Sequence, residues 1–409
     1  MTRHPHDGRR SSRHARPRQR RREPQNGLGR LIQAVALAAA LSSCPGAACP
    51  FCGVVGRSLA DRRDTADVVA VGAADTPAAR DSSGLVRQRF TVATTLRGRF
   101  DEIPRNATPE AVTAAVVAGI EGTALLFGVR GDDGLRFDAV EADETVIGYV
   151  AAAPPADEPA SNRLQWFATR LEHPDPTIAA DAFTEFGLAP FTAVRDVART
   201  LDAGKLVAWL REPAIDQRRR GFYGLAVGLA AAAATDPDDR DRCIAALHEA
   251  VEAPANDLRA GFDGVLAGVL VAEAEAGLAY LEAQGLLRAT TRPGDARHAL
   301  AALRFAWESL ADTIPRHQTA AATAALLGNP PVTAESIIDL ARYGRWDDVA
   351  VVAAAWDTLG RDDPLVRRAV AGYLRACPLQ PARAHRLRLE AADPVAWAWA
   401  ESAATLPAR

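Results

Sequence analysis

The sequence lacks the short motifs that most often mark a catalytic site. It contains no G-x-S-x-G nucleophile elbow, no H-E-x-x-H zinc motif, no Walker A phosphate loop and no dinucleotide-binding glycine fingerprint. Four of its eight histidines lie on predicted turns and helices and join no cluster of carboxylates: His173, His248, His298 and His317. We therefore predict no catalytic residue, no metal site and no cofactor, and enzymatic activity is the less favoured interpretation.

Long apolar runs are also scarce near the start of the chain. The segment from Leu31 to Leu41 is uncharged and apolar, but it is too short to span a bilayer comfortably. Residues 1–30 contain ten Arg, and small residues follow the apolar segment up to Ala48. A basic n-region, an apolar h-region and small residues near a cleavage point are typical of a secretory signal peptide. We interpret residues 1–48 as a basic head and signal peptide, and the protein as exported to the periplasm or the extracellular space.

The remainder of the chain lacks a positive charge balance. Residues 1–30 carry a net charge of +8 and the whole chain carries −3, which leaves −11 for residues 31–409. Nucleic-acid binding by a folded domain needs a persistent positive face. We therefore expect no nucleic-acid partner, and the basic run Arg218–Arg220 is interpreted as a solvated surface.

Only five cysteines occur, and three of them lie near the predicted signal peptide: Cys44, Cys49 and Cys52. The segment Gly46–Ala48 suits cleavage before Cys49 by the ordinary signal peptidase, which would release a soluble protein. The segment Leu41–Cys44 resembles a bacterial lipobox, in which Cys44 would carry a diacylglyceryl group. Cleavage before Cys49 is favoured because the folded part is predicted to begin there. A membrane contact is therefore expected only if Cys44 is lipidated.

The tetrad Cys49-Pro-Phe-Cys52 is compatible with several chemistries. The favoured one is a structural disulfide, formed within the tetrad or with a distant thiol in an oxidising compartment. A thioredoxin-like redox pair needs a strand before its first cysteine, and no mature sequence precedes Cys49 to form one. A zinc site needs four ligands, and the cysteines that could complete it, Cys243 and Cys377, are predicted to be buried on helices. Gly53 stands where a c-type haem motif requires histidine. Cys49 and Cys52 are accordingly disulfide or redox candidates.

Residues 49–150 are predicted to form a small β domain. A short helix over Arg57–Thr65 precedes five segments that have the alternation or β-branched enrichment of strands. These segments are Asp67–Ala74, Leu85–Leu96, Thr123–Val129, Leu135–Val140 and Thr145–Val150. Their number and short length indicate a small five-stranded barrel or sandwich. The Ala/Pro-rich residues 151–162 are interpreted as a linker.

Residues 163–404 are predicted to be helical and repetitive. The pattern R-x-G-F-x-G-x-x-x-G occurs at Arg219–Gly228 and again forty residues later at Arg259–Gly268. Asp-Pro pairs that begin at Asp175 and Asp363 fit helix starts, because the carboxylate caps free N–H groups and Pro has no N–H to leave unbonded. The repeat glycines share one helical face, which predicts a closely packed neighbouring helix. A period near forty with paired helices is typical of HEAT-type solenoids. The predicted fold class is thus α+β and multidomain, a small five-stranded β-barrel domain followed by a HEAT-like α-solenoid.

The stretch from Cys49 to Gly98 resembles the opening of netrin-like domains, the family that includes the tissue inhibitors of metalloproteinases. Those domains also begin at a cysteine, continue with a strand like Ala66–Val69, and reach an aromatic-x-Val segment that ends in a basic residue and glycine, here Phe90–Val92 and Arg97-Gly98. The resemblance implies an OB-like barrel. The further cysteines of the animal inhibitors are missing from this chain.

From residue 49 to about residue 380 the chain is similar to a group of uncharacterised exported bacterial proteins. These have a C-P-F-C tetrad after the signal peptide, a small β domain and a HEAT-like helical half. The matching pieces beyond the tetrad are Leu171–Pro176, Asp181–Phe186, Arg220–Gly224 and Leu303–Trp307. The similarity implies the same architecture and brings no activity with it.

The sequence therefore predicts an exported, non-catalytic interaction or scaffold protein of the cell envelope. A solenoid exposes a long continuous surface and few enclosed pockets, which favours a protein or peptide partner over small-molecule chemistry. Thiol–disulfide exchange or metal binding through Cys49 and Cys52 is the alternative.

Overall fold

A short helix and a closed barrel open the described part of the chain. The computed structural model describes residues 56–100, 111–132, 134–254 and 259–404. Helix α1 spans Leu59–Thr65, close to the predicted helix. Six strands follow: β1 Val68–Ala74, β2 Ala79–Arg80, β3 Val86–Arg97, β4 Ala111–Ala115, β5 Thr123–Gly131 and β6 Gly134–Glu141.

Five of these strands close into a barrel. Their order is β1-β5-β6-β4-β3 and back to β1, while β2 lies beside β3 at the edge. Closure depends on the length of β3, whose residues Arg87–Thr91 pair with β4 and whose residues Phe90–Arg97 pair with β1. Two register shifts in the β1–β3 ladder add the bend that a small barrel requires. The pairing of β4 with β6 is parallel, and the other neighbouring strands pair antiparallel. The prediction of a small barrel closed by five strands is confirmed.

One of the predicted strands is wrong. The segment Thr145–Val150 lies in helix α2, Glu144–Ala152, whose first turn is capped by Asp143 as it accepts a hydrogen bond from the Val146 N–H at 2.8 Å. The buried apolar residues of this helix recur at i, i+3 and i+4, a helical spacing that a short run can share with a strand. The remaining barrel strand is Ala111–Ala115, which sequence alternation did not identify because alanine carries little strand preference.

Strand β1 is buried on both faces. Val68 and Ala70 belong to the apolar core inside the barrel, whereas Val69 and Val71 belong to a core shared with the helices. A strand covered on both sides has no polar face, which explains its nearly continuous apolar sequence. The described residues accordingly form one compact unit.

Sixteen further helices account for most of the remaining described residues. They are α2 Glu144–Ala152, α3 Ala160–Ala168, α4 Pro176–Leu188, α5 Phe191–Ala198, α6 Ala203–Arg211, α7 Gln217–Ala233, α8 Pro237–Glu252, α9 Phe262–Glu273, α10 Glu275–Ala283, α11 Pro293–Ser309, α12 Arg316–Ala325, α13 Thr333–Tyr343, α14 Val349–Ala355, α15 Pro364–Ala376, α16 Gln380–Ala392 and α17 Pro394–Ala404. Both predicted Asp-Pro starts are confirmed, since Asp175 caps α4 and Asp363 caps α15. No helix in the described ranges is both long and apolar enough to cross a bilayer.

Helices two apart in sequence pack side by side. The runs α3–α5–α7–α9–α11 and α13–α15–α17 are each formed in this way. Arg304 of α11 connects the two runs, because its Nε donates to Asp339 Oδ2 of α13 at 2.5 Å. Helix α7 is enclosed, since every residue from Gly221 to Ala231 is buried. This helix therefore presents no solvent face along most of its length.

The two copies of the repeated pattern pack against each other, glycine to glycine. A Cβ added to Gly228 of α7 would lie 2.5 Å from Gly268 Cα of α9, and one added to Gly224 would lie 2.6 Å from Val265 Cα. Real Cβ atoms do not approach backbone so closely, so the helices touch only because these positions lack side chains. The predicted close packing at the repeat glycines is confirmed.

The predicted linker, residues 151–162, contributes its ends to α2 and α3. The buried Arg63 side chain of α1 donates to the carbonyl oxygens of Val150, just before this segment, and of Ala153 and Pro154 within it, at 2.6–3.2 Å. This segment is therefore tied to the start of the described chain.

Candidate functional site

The cysteines that the sequence singled out, Cys44, Cys49 and Cys52, lie outside the described residues. Cys243 of α8 and Cys377, which follows α15, are both buried and form no disulfide. Burial raises the pKa of the Cys243 thiol, which makes it less reactive. Both belong to the helical core, as predicted. Within the described ranges, no group of three or more His, Cys, Asp or Glu side chains is arranged to hold a metal ion.

The structure keeps the histidines apart. His173 accepts a hydrogen bond from the Asp175 N–H at 3.0 Å, which is the turn role that the sequence predicted. His248 Nε2 lies 2.7 Å from Glu273 Oε2, and its ring stacks on Tyr280 at 3.9 Å. His298 Nδ1 lies 3.6 Å from a carboxylate oxygen of Asp263. His317 is exposed on α12. The contacts of His173, His248 and His298 are therefore local, and none of the four histidines belongs to a group of three or more potential metal ligands among the described residues.

Two buried carboxylates on α4 hold the beginning of α1. Asp181 and Glu185 lie one turn apart on the same face of α4, with 7% and 6% of their surfaces exposed. Asp181 Oδ1 accepts from the Leu59 N–H at 2.6 Å, and its Oδ2 accepts from Tyr149 OH at 2.8 Å. We call these groups, with the partners of Glu185 described next, the carboxylate anchor.

Glu185 is partnered on both of its oxygens. The hydroxyl of Ser58, the N-cap of α1, donates to Oε1, and Arg163 of α3 donates to Oε2 at 2.8 Å. Burial raises the pKa of both Asp181 and Glu185, and the hydrogen bonds and arginines around them oppose this only in part. Burial and the neighbouring Asp181 also raise the pKa of Tyr149, which therefore remains a protonated donor.

The carboxylate anchor lies near the tetrad along the chain. Ser58 follows Cys52 by six residues. The anchor therefore fixes the point at which the segment after the tetrad enters the described fold. Sequence reasoning did not predict this cluster, because two acids spaced i, i+4 on a helix normally indicate a solvated face.

A second feature is a groove of about 320 Å³ formed by α3, α5 and α6, which we call the Trp209 groove. Its apolar wall consists of Ala168, Val197, Leu201 and Trp209. Its polar rim consists of Gln165, Thr169, Glu172, Thr200, Asp202 and Lys205. Lys205 and Trp209 are spaced i, i+4 and so share one face of α6. An apolar wall with a few polar groups on its rim is the usual composition of a ligand pocket.

The Trp209 indole is supported from behind by a buried network. Its ring centroid lies 5.2 Å from that of Tyr223, which is fully buried on α7. Tyr223 OH donates to Glu172 Oε1, and Arg219 Nε lies 3.1 Å from the same oxygen. Burial together with Glu172 raises the pKa of Tyr223, so its hydroxyl stays a donor. The wall of the groove is thus held in place before any ligand arrives.

Arg219 is not the solvated residue that the sequence predicted. Only 13% of its side chain is exposed, and besides Glu172 its Nη1 donates to the Leu171 carbonyl oxygen at 3.2 Å. The equivalent arginine of the second repeat copy, Arg259, likewise donates to carbonyl oxygens, those of Ala250 and Val251. The repeat arginine is therefore a structural residue that joins neighbouring helices.

Lys205 differs from the other basic residues of the chain. It is the only lysine among 409 residues, whereas all other basic positions are arginine or histidine. Its side chain is exposed at the rim, and within the described ranges its ammonium forms no hydrogen bond or ion pair. Sequence reasoning did not single out Lys205, because the groove depends on how three helices meet.

Comparison of the sequence with protein-family models and with curated proteins, and of the fold with solved structures, gives no match.

Proposed function

We propose that this chain is an exported, non-catalytic interaction or scaffold protein of the cell envelope, which binds a protein or peptide partner with its helical half at the Trp209 groove. The observation that carries the proposal is the supported Trp209 wall beside a lysine that has no partner among the described residues, in a groove of about 320 Å³. Pockets of this size hold small ligands or a few side chains.

In this proposal the helical half is a HEAT-like solenoid and the barrel is an OB-like domain. Side-by-side packing of helices two apart in sequence supports the first assignment, because stacked helix pairs produce that pattern. Five-strand closure with a long, bent β3 supports the second. Because α7 is enclosed, the partner would contact the helices around it and not the glycine repeat itself.

The test is a selection of random displayed peptides on the full chain. We expect enrichment of peptides that bind wild-type protein and that lose at least tenfold in affinity for Trp209→Ala. Trp399→Ala is the matched control, because Trp399 is 55% exposed on α17 and lies outside the groove. Failure to enrich any sequence, or equal binding to wild type and Trp209→Ala, would overturn the placement of the partner site.

The alternative function is thiol–disulfide exchange or metal binding through Cys49 and Cys52. It can be tested because the two thiols that the structure describes are both buried. Because Cys243 and Cys377 are buried, thiol titration of the native protein reports Cys49 and Cys52, together with Cys44 if it is retained. A structural disulfide predicts no fast thiol until reductant is added. Rapid reaction at neutral pH, removed by Cys49→Ser, would favour the exchanger, and metal that copurifies and is lost in the same variant would favour metal binding.

Export is tested by the intact mass of the protein purified from its own host. Cleavage before Cys49 predicts a soluble species that begins at that residue, whereas a lipobox predicts a diacylglyceryl group on Cys44. A mass that retains residues 1–43 would contradict both forms of the export proposal.

A further inference from the structure

We infer that the Trp209 groove recognises the C-terminus of a partner polypeptide, with the terminal apolar side chain against Trp209 and the terminal carboxylate at Lys205. This rests on the proposed function and names the chemistry of the partner.

The charge on the rim of the groove points to a carboxylate. Glu172 is already bonded by Tyr223 and lies 3.1 Å from Arg219 Nε. Asp202 caps α6, where its Oδ1 accepts from the Lys205 N–H at 2.7 Å. Lys205 is then the rim charge whose side chain has no partner among the described residues. An ammonium on a flexible stem can donate to a single carboxylate from several directions.

The size of the groove favours a chain terminus over an internal segment. A volume of about 320 Å³ accommodates one large side chain and its terminal group. An internal segment would have to continue past the groove on both sides, whereas a chain terminus ends within it. The capture of terminal carboxylates is an established mode of peptide recognition.

The wall and rim supply the remaining contacts. Trp209 offers a broad apolar surface that is fixed by Tyr223, so little freedom is lost when a side chain packs on it. Gln165 brings an amide group to the rim. The hydroxyls of Thr169 and Thr200 already donate to backbone carbonyl oxygens three residues earlier, so they can accept hydrogen bonds from the last peptide N–H groups of the partner. The terminal side chain, the terminal carboxylate and the backbone of the partner would thus each contact a separate part of the groove.

The experiment measures binding of fluorescently labelled peptides to the full chain. One peptide ends in Ala-Ala-Phe with a free carboxylate, the second is its C-terminal amide, and the third is an amidated peptide with an Asp before Phe. We expect the free acid to bind at least tenfold more tightly than either amide, and its affinity to fall as salt is added.

Variants separate the contacts. Lys205→Gln is expected to lower the affinity of the free acid to that of the amide while leaving the amide unchanged, and Lys205→Arg to retain most of the binding. Trp209→Ala is expected to weaken all three peptides. Arg211→Gln is the matched control, because Arg211 is an exposed cation on the same helix whose partner is Glu249, 2.7 Å away.

Three results would overturn the inference: equal binding of free acid and amide, no effect of Lys205→Gln, or equally tight binding of the peptide with the internal Asp. If the affinities are equal but still fall in Trp209→Ala, the partner site stands and only its carboxylate specificity is lost. If none of the three peptides binds and peptide selection also enriches nothing, the proposed function falls as well.

Discussion

At the scale of single residues, the buried polar groups of the carboxylate anchor make the contacts whose loss is expected to cost the most stability. Asp181 and Glu185 together accept hydrogen bonds from a backbone N–H, a phenol, a hydroxyl and a guanidinium. Burial of a charged group is costly unless it is fully bonded, and removing one donor leaves that cost uncompensated. Each partner of the anchor is therefore expected to matter more than its single hydrogen bond suggests.

Tyr149→Phe tests this expectation. The substitution removes the donor to Asp181 Oδ2 and leaves a buried oxygen without a partner, so the free energy of unfolding should fall by about 1–3 kcal/mol in urea denaturation. Tyr280→Phe is the control, because Tyr280 OH donates at 3.0 Å to the surface residue Glu252. Its effect should stay within about 0.5 kcal/mol. Equal effects of the two substitutions would mean that the anchor contributes no more than a surface contact.

Local signals in the sequence were sufficient for some residues and not for others. The Asp-Pro caps at Asp175 and Asp363 were predicted correctly, because capping involves only neighbouring residues. The roles of Asp181, Arg219 and Lys205 were not predicted, because each depends on a partner or a groove wall far away in sequence. Such contacts leave no periodic pattern for a single sequence to display.

At the scale of the helices, the glycine positions determine how closely two helices pack. Helices α7 and α9 meet along their repeat glycines, where one backbone lies against the other. Gly148 of α2 provides the contrast, since a Cβ there would meet no atom within 4 Å. The same residue type is thus required in one helix and unnecessary in another.

Gly228→Ala should destabilise the protein by about 3 kcal/mol or more, because the added methyl meets the rigid backbone of Gly268 and the helices must separate. Gly148→Ala should stabilise it by up to about 1 kcal/mol, because alanine favours the helix and nothing opposes the methyl group. Thermal and urea unfolding of the two variants measure the difference. A neutral Gly228→Ala would contradict the close packing of the repeat.

The elements themselves were predicted unevenly. Long periodic helices and strands with clear alternation were identified, and so was the glycine face that α9 covers. The prediction of a strand over Thr145–Val150 was wrong, because a run of six residues can fit both the period of a strand and that of a helix. Here the Asp143 cap stabilises the helix. Strand β4 was missed because pairing with β3 and β6 stabilises it more than the strand preference of its own residues does.

For the whole molecule, three buried carboxylates link folding to pH. Burial is the main cause that raises the pKa of Asp181, Glu185 and Asp339, although Arg304 opposes it at Asp339. The folded state therefore binds protons at these groups more tightly than the unfolded chain does. Their contribution to stability is fully present below the unfolded pKa, near 4, and is lost as pH rises through the higher folded values.

Asp181→Asn tests this contribution. The groups that face Asp181 are Leu59 N–H, Tyr149 OH and the Arg62 guanidinium. Asp181 also helps to raise the pKa of Glu185, so its removal lowers both sources of the pH dependence. Since asparagine cannot ionise, the free energy of unfolding of the variant should decline less between pH 4 and pH 7 than that of wild type. Each pKa unit by which the folded value exceeds the unfolded one corresponds to about 1.4 kcal/mol of this difference.

Urea unfolding at several pH values measures both curves, with Glu249→Gln as the control. Glu249 is a carboxylate that is 62% exposed and pairs with Arg211 at the surface, so its replacement should leave the pH dependence parallel to that of wild type. If Asp181→Asn also runs parallel, then Asp181 loses its proton in the folded state as readily as in the unfolded chain. The contacts of Asp181 would then hold the start of α1 with equal strength at every pH from 4 to 7.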